Sequence, residues 1–413
     1  MRAVVVGAGV AGTAAAWAIA RSGGEAILVH DRPGATELYS GALDGEPSRS
    51  DVSLSLETDL HAWVRSLEIW ALPRNDARVA TGAGITKRSR GLDHTLLNLE
   101  PLAGNSIAVL STDYPAYDGK LLARTLADSQ WAESTKTHFT AVAVDVVHEA
   151  SERSCSPHDF AVLHDSPERI EWLAEQLRSA SSSYDAWLLG PWLGLEPETV
   201  LHLRQALERP VGETTSLPGG AAGARFARAR DRLMRHLGLT VVRGRVLAAT
   251  RTGKSWKLDV ESYLPNRSRT GGLGGMGGRI IHPEAGWQKT AQVLEADAVV
   301  LACGGIVSGG IELAPVGSMG PAFRLSFGAP IALTVHQAVL RPMSTLHGPV
   351  LDRLGPEVFE SVGIATRGPH VQGEPGLVVA GAALARQPHT MLHAAQSGLV
   401  AARAVLETWR PGQ

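Results

Sequence analysis

Along the first thirty residues the hydrophobic pattern changes period twice. Val4, Val5 and Val6 form a β-branched run that suits a strand buried on both faces. Gly7-Ala8-Gly9-Val10-Ala11-Gly12 follows at once, an Ala-rich helix extends from it to about Ser22, and Gly23-Gly24 stops that helix. Ala26 to Val29 read as a second strand. Helical spacing recurs over 52–72, 118–130, 166–179, 197–208, 221–236 and 393–408. Strand candidates are 104–111, 139–147, 185–189, 240–246, 296–305 and 377–382. Strands that alternate with helices in this way predict an α/β protein built on parallel strands.

The opening unit suggests chemistry. In a strand–turn–helix–strand unit Gly7 permits the tight turn, Gly9 lets a pyrophosphate approach bare backbone, and Gly12 lets the helix pack close to its strand. The helix N-terminus then turns N–H groups toward the phosphates. A dinucleotide or flavin site is expected, with an empty structural turn as the alternative. The segments 296–305 and 377–382 repeat the strand-plus-glycine arrangement far along the chain, which predicts one nucleotide-binding domain assembled from separated stretches around an inserted middle. TGGLGGMGG, from Thr270, reads as a flexible loop because no strand precedes it. Arg225, Arg228, Arg230, Arg232 and Arg235 span several faces of one helix, the pattern of a solvated helix.

Composition narrows the classes. The 413 residues are 44% hydrophobic and 19% charged, enough for two or three domains with a large core. A net charge of −2 gives no general attraction to nucleic acid or membrane. No apolar run approaches the ~18 residues of a spanning helix, and the first strand begins too early to leave room for a targeting peptide. Cys155 and Cys303 are the only cysteines, read as reduced thiols, and they are too few for an iron–sulfur cluster within the chain. The histidines are scattered, and neither HExxH nor GxSxG occurs, so metal and nucleophile-elbow chemistry are not indicated.

GAGVAG at the start, VVLACGG from Val299 and LVVAGA from Leu377 resemble the strand-and-glycine segments of the two-dinucleotide-binding-domain flavoproteins. With LYSGALD at Leu38, LSTDYPAYDGKLLARTL at Leu110, AWLLGPWLGL at Ala186, TTSLPGGAAGARF at Thr214 and HAAQSGLVAARAV at His393, the chain resembles the B subunit of anaerobic glycerol-3-phosphate dehydrogenase over nearly its whole length. That resemblance implies an α/β fold with a discontinuous Rossmann-like flavin-binding domain, 1–100 and 210–413, and an inserted α/β substrate or partner domain, 101–209. It implies a cytoplasmic subunit, peripheral on the inner face of the membrane, that works with a catalytic flavoprotein subunit and an iron–sulfur subunit to pass electrons from glycerol 3-phosphate to quinone. The cofactor is expected to be FAD, with FMN as the alternative.

For flavin contact the resemblance points to Gly7, Gly9, Gly12, Ser40, Gly41, Gly304 and Gly381. Two positions depart from the FAD pattern. The second strand ends in His30, with Asp31 one place later, where an acid usually meets the adenosine ribose, and Gly381 is followed by Ala382 where a carboxylate is common. Neutral His30 can still accept a hydrogen bond from a hydroxyl, and Asp31 is close enough in sequence to substitute. Arg367 and His370 lie before the last strand, where related oxidases place substrate groups, and are the weak catalytic candidates. A self-sufficient FAD oxidoreductase for another small hydroxy or amino substrate, and a scaffold that has lost its flavin, are the alternatives.

Overall fold

The computed structural model describes residues 1–31, 34–43, 54–180, 183–265, 287–306, 308–316, 320–325, 335–336 and 362–409. β1 (Arg2–Val6) has a parallel neighbour on each side, β2 (Glu25–His30) and Ala298–Leu301. Its two faces enter two different cores, Ala3 and Val5 on one side and Val4 and Val6 on the other, so every position of the run must be apolar. Five parallel strands lie in the order Thr240–Thr252, β2, β1, Ala298–Leu301, Leu377–Val379. In chain order that is third, second, first, fourth, fifth, the arrangement of doubly wound nucleotide sheets. Ser255–Pro265 and Trp287–Ala296 extend one edge antiparallel, and the short strands His370–Val371 and Thr366–Arg367 extend the other. The result is a mixed α/β fold on a large nine-stranded sheet.

Helices cover one face of this sheet. α1 (Val10–Arg21), Leu54–Leu67, the arginine-rich helix Ala221–His236 and the C-terminal helix Met391–Thr408 share one core with Val5, Leu28 and Val300. α1 and the C-terminal helix touch backbone to backbone, since a Cβ on Gly398 would lie 2.1 Å from the Ala11 carbonyl oxygen. The opposite face closes on Val246 and on Trp256, Leu258 and Val260 from the antiparallel extension.

A second sheet has four parallel strands in the order Val211–Glu213, Ala186–Leu189, Ser106–Ser111, His138–Ala143. Both of its faces are buried: Trp187 and Leu189 pack with Phe160 and Leu173, while Ile107, Val109 and Leu188 pack with Leu122 and Leu126. Gly119 opens the helix that follows the first of these strands, and a Cβ there would lie 1.9 Å from the Leu110 carbonyl oxygen. Asp118 caps that helix by accepting from the Leu121 N–H at 3.0 Å.

Several expected elements change in extent. The helix expected over 52–72 is Leu54–Leu67, after which Glu68 takes a left-handed φ of 62° and the chain enters the strand Trp70–Ala71. The strand expected over 139–147 is His138–Ala143, and that over 240–246 continues to Thr252. In the segment 296–305, Ala296 ends the strand Trp287–Ala296 and a new strand runs over Ala298–Leu301 before the glycines leave the sheet. The glycine-rich loop at Thr270 lies outside the described residues.

The solvated reading of the arginine-rich helix is corrected for two of its five arginines. Arg228 and Arg232 are partly exposed and pair with Glu196, whereas the side chains of Arg225 and Arg230 are 1% and 7% exposed. Arg225 joins the two sheets. Its guanidinium grips Glu213, at the end of a second-sheet strand, through two 2.8 Å bonds, and donates to the Thr95 hydroxyl at 2.6 Å and the Gly194 carbonyl at 2.8 Å. Asp93 lies 3.8 Å away and accepts from the Thr95 N–H and hydroxyl and from the Tyr39 hydroxyl. Trp70 Nε1 in turn donates to Tyr39 at 2.8 Å. Burial and the neighbouring Asp93 carboxylate push the Tyr39 phenol well above its ordinary pKa, so it remains a donor.

Among the described residues no helix is long and apolar enough to cross a membrane. No cluster of three or more His, Cys, Asp or Glu among them could hold a metal ion.

Candidate functional site

The first glycine turn lies at the end of β1, where the chain leaves the sheet for α1. Gly7 has φ 110°, and a Cβ there would sit 2.1 Å from the Ala302 carbonyl oxygen. A Cβ on Gly12 would sit 1.8 Å from the Gly7 carbonyl oxygen. Both are therefore fixed by packing against backbone. Gly9 differs, because its nearest neighbour would be the Thr36 hydroxyl at 3.1 Å, and its other side opens on a cavity.

That cavity has a volume of about 340 Å³, in the range of small-molecule and cofactor sites. Its floor is the turn, Gly7 to Ala11. One end is formed by His30, Asp31, Gly244 and Arg245, and the wall above the turn by Gly34, Ala35, Thr36 and Leu38. The other end is formed by Ala302 to Gly305 and Ser308, by Gly381 and Ala382, and by His389, Thr390, Met391 and Ala394 at the start of the C-terminal helix. Two helix N-termini thus meet the same space, and neither has a side chain capping it from its N-cap residue, Gly9 or Thr390. The helix dipoles make both ends favourable to negative charge. Gly381 has φ 69°, and its N–H donates to the Ser397 hydroxyl at 2.7 Å, which fixes the exit of the last sheet strand to the C-terminal helix.

His30 ends β2 as expected, with a pKa pushed down to about 4 by burial first and by the Arg230 charge second. It is neutral at pH 7, able to accept one hydrogen bond and donate another. His164, fully buried in the second-sheet core, is also held down at about 4 by burial. Unfolded histidine titrates near ~6.5, so between about pH 6.5 and 4 the unfolded chain takes up protons that the folded chain refuses. Stability is accordingly full above that window and falls as the pH drops through it. We expect the urea midpoint to fall between pH 7 and pH 5, and to fall less in His30→Asn; an equal fall in both proteins would mean that His30 is not held neutral.

The structure brings Gly7, Gly9, His30, Asp31, Gly304 and Gly381 to one cavity, with Gly12 packed directly beneath the turn. It places Ser40 and Gly41 elsewhere. The Ser40 carbonyl accepts from the Ser216 N–H at 2.8 Å, and the Gly41 carbonyl accepts from the Asp93 N–H at 2.7 Å, so both lie on the joint around Arg225. Arg367 and His370 occupy the edge hairpin, the first exposed and the second partly so, and neither lines the cavity. Sequence reasoning missed Thr36, Arg245 and Ser308 among the lining, and Arg230 behind the turn. For Arg230 a signal existed: with Arg225 it flanks the apolar stripe Ala222, Phe226, Ala229, Leu233, whereas Arg228 and Arg235 lie opposite.

No family model matches the chain, and no curated protein matches it. Solved structures do. A flavoprotein/dehydrogenase from Cytophaga hutchinsonii is 10% identical, with all of this chain and 80% of that one covered and a TM-score of 0.36. The p-nitrophenol 4-monooxygenase of Pseudomonas putida DLL-E4 is 10% identical over all of this chain and 80% of its own, with a TM-score of 0.33. CabE, an aromatic hydroxylase from angucycline biosynthesis, is 10% identical over 98% of this chain, with a TM-score of 0.33, and the chain spans 62% of its length. The chain likewise spans 62% of the length of AlpK. Likenesses this distant assign no activity.

The expected place among the B subunits of anaerobic glycerol-3-phosphate dehydrogenase is corrected by these comparisons. No family model and no curated protein supports the subunit assignment. The activity on glycerol 3-phosphate, the delivery of electrons to quinone and the flavoprotein and iron–sulfur partners rested on that assignment alone and are withdrawn with it.

Proposed function

We propose that the chain is a flavin-dependent oxidoreductase that holds FAD in this cavity and acts without an iron–sulfur partner. The observation that carries the reading is the continuity of the cavity. It runs from a ribose-type end at His30 and Asp31, over a glycine turn opposite a helix N-terminus, to a second helix N-terminus at Thr390 and Met391. A mononucleotide needs only one half of that path.

The residues fit the group. Gly9 leaves the turn bare on the cavity side, and the α1 N-terminus faces the place where phosphates would approach. His30 as a neutral acceptor, beside Asp31, takes the role of the acid that this position commonly carries toward a ribose hydroxyl. Gly304, at φ 82°, and Gly305 offer backbone without side chains, and Ala382 offers backbone but no carboxylate. The start of the C-terminal helix holds positive potential against its end of the cavity. When bound, the flavin would accept two electrons and a proton equivalent from an organic substrate. The chain's own share is to bind, to orient and to bias that end of the site toward negative charge.

Chromatography of the cofactor released by denaturation tests the reading. FAD is expected, and Asp31→Ala should weaken FAD by about ten- to a hundredfold while leaving FMN affinity unchanged, because FMN has no adenosine ribose. Protein that stays colourless after incubation with FAD and FMN would overturn the proposal, and released FMN would restrict it to a mononucleotide flavoprotein.

A further inference from the structure

We infer that Thr36 is a pyrophosphate-binding residue of this site and that Arg230 is the positioning residue that holds Thr36 and the glycine turn in register. The inference rests on the nucleotide reading of the cavity and assigns a specific recognition device to it.

Thr36 lines the cavity yet is only 8% exposed. Its hydroxyl oxygen accepts from the Val10 N–H at 3.0 Å, the first N–H of α1. A hydroxyl that accepts one bond keeps its own proton to donate, and no described residue receives that proton. The hydroxyl is also the group closest to Gly9 on the turn's outer side. It therefore stands between a helix N-terminus and the space above Gly9, oriented as an acceptor toward the helix and as a donor toward an anion. A phosphate oxygen over Gly9 is the ligand that this polarity suits.

Thr36 belongs to the turn Ala35–Leu38, and that turn is held from behind by the arginine-rich helix. A Cβ on Gly223 would lie 1.9 Å from the Glu37 carbonyl oxygen, so the helix sits directly on it. Seven residues on, Arg230 reaches past the turn. Its Nη1 donates to the Ala8 carbonyl at 3.3 Å and to the Glu37 carboxylate at 3.4 Å, while Nε is tied to Asp231 at 2.8 Å. One buried guanidinium thus fastens the glycine turn at Ala8 to the Thr36 segment at Glu37.

The test measures Kd for FAD, for ADP-ribose, which carries the pyrophosphate without the flavin, and for riboflavin, which carries neither phosphate. Thr36→Val should raise Kd for FAD and ADP-ribose about ten- to a hundredfold and leave riboflavin unchanged, with Thr36→Ser restoring both. Arg230→Gln should weaken the same two ligands, and Arg230→Lys should recover part of the loss. If the valine variant does not fold, Thr36→Ala gives the same comparison. Unchanged binding of FAD and ADP-ribose overturns the inference and leaves the flavin reading standing. A loss shared equally by riboflavin also overturns it, because it would make Thr36 a structural cap. Wild-type protein that binds ADP-ribose in a Thr36-dependent way but no flavin upholds the inference and overturns the flavin reading, and protein that binds none of the three overturns both.

Discussion

Replacing Arg225 by methionine should cost about 3–5 kcal/mol of folding stability, the largest effect expected of any single side chain in the structure. Arg225 is 1% exposed and faces two carboxylates, Glu213 and Asp93, that are as deeply buried as it is. Methionine fills much of the volume but leaves both anions without their cation, together with an unanswered Gly194 carbonyl. The loss should appear as a lower urea midpoint with an unchanged slope. Adding Glu213→Gln to Arg225→Met removes one stranded charge, so the double variant should regain part of the loss. A drop below about 1 kcal/mol for the single variant would show that water reaches the joint and solvates the carboxylates.

The second large effect separates two glycines three residues apart. Gly9→Val should abolish cofactor retention, a loss of at least about a hundredfold in affinity, with little change in the melting temperature. Its Cβ would stand 3.1 Å from the Thr36 hydroxyl, so the branched side chain would crowd the cavity lining between the turn and Thr36, with no backbone within 4 Å of that Cβ. Gly12→Val should instead damage the fold, because even its Cβ would lie 1.8 Å from the Gly7 carbonyl oxygen. Far-ultraviolet circular dichroism and melting distinguish the two, and flavin fluorescence on release reports the cofactor. A Gly9→Val protein that keeps its flavin would mean that the ligand does not approach the turn.

What the sequence reveals of this protein divides along the kind of information each residue carries. The opening unit is legible because valines, glycines and alanines state their roles locally: Val4 to Val6 need burial on both faces, and Gly7 and Gly12 have no room for a side chain. His30 is legible for the same reason, since the end of a second strand after a glycine turn is a fixed place in the fold. Thr36 is not. Its function depends on how the turn Ala35–Leu38 folds back over α1, and that is decided by Gly223 and Arg230, nearly two hundred residues away. Ser40 and Gly41 show the reverse error. They follow the glycine turn in sequence and resemble cofactor contacts, but their carbonyls are bound to Ser216 and Asp93 at the joint between the sheets. The antiparallel strand Ser255–Pro265 was legible in the alternation of Trp256, Leu258 and Val260 with Lys257, Asp259 and Glu261.

The strand order of the large sheet has a consequence for biosynthesis. β1 and β2 are made together, but the partner that covers the other edge of β1, Ala298–Leu301, lies almost three hundred residues further along. At roughly 5–20 residues per second, a ribosome needs ~15–60 s to deliver it. For that interval the edge of the Ala3 to Val6 run is an unpaired apolar template, the sort of edge that pairs with the wrong strand. The strands of the second sheet, Ser106 to Glu213, are complete long before then. The central sheet is therefore the slow part of this chain's folding, set by the separation in sequence of its neighbouring strands.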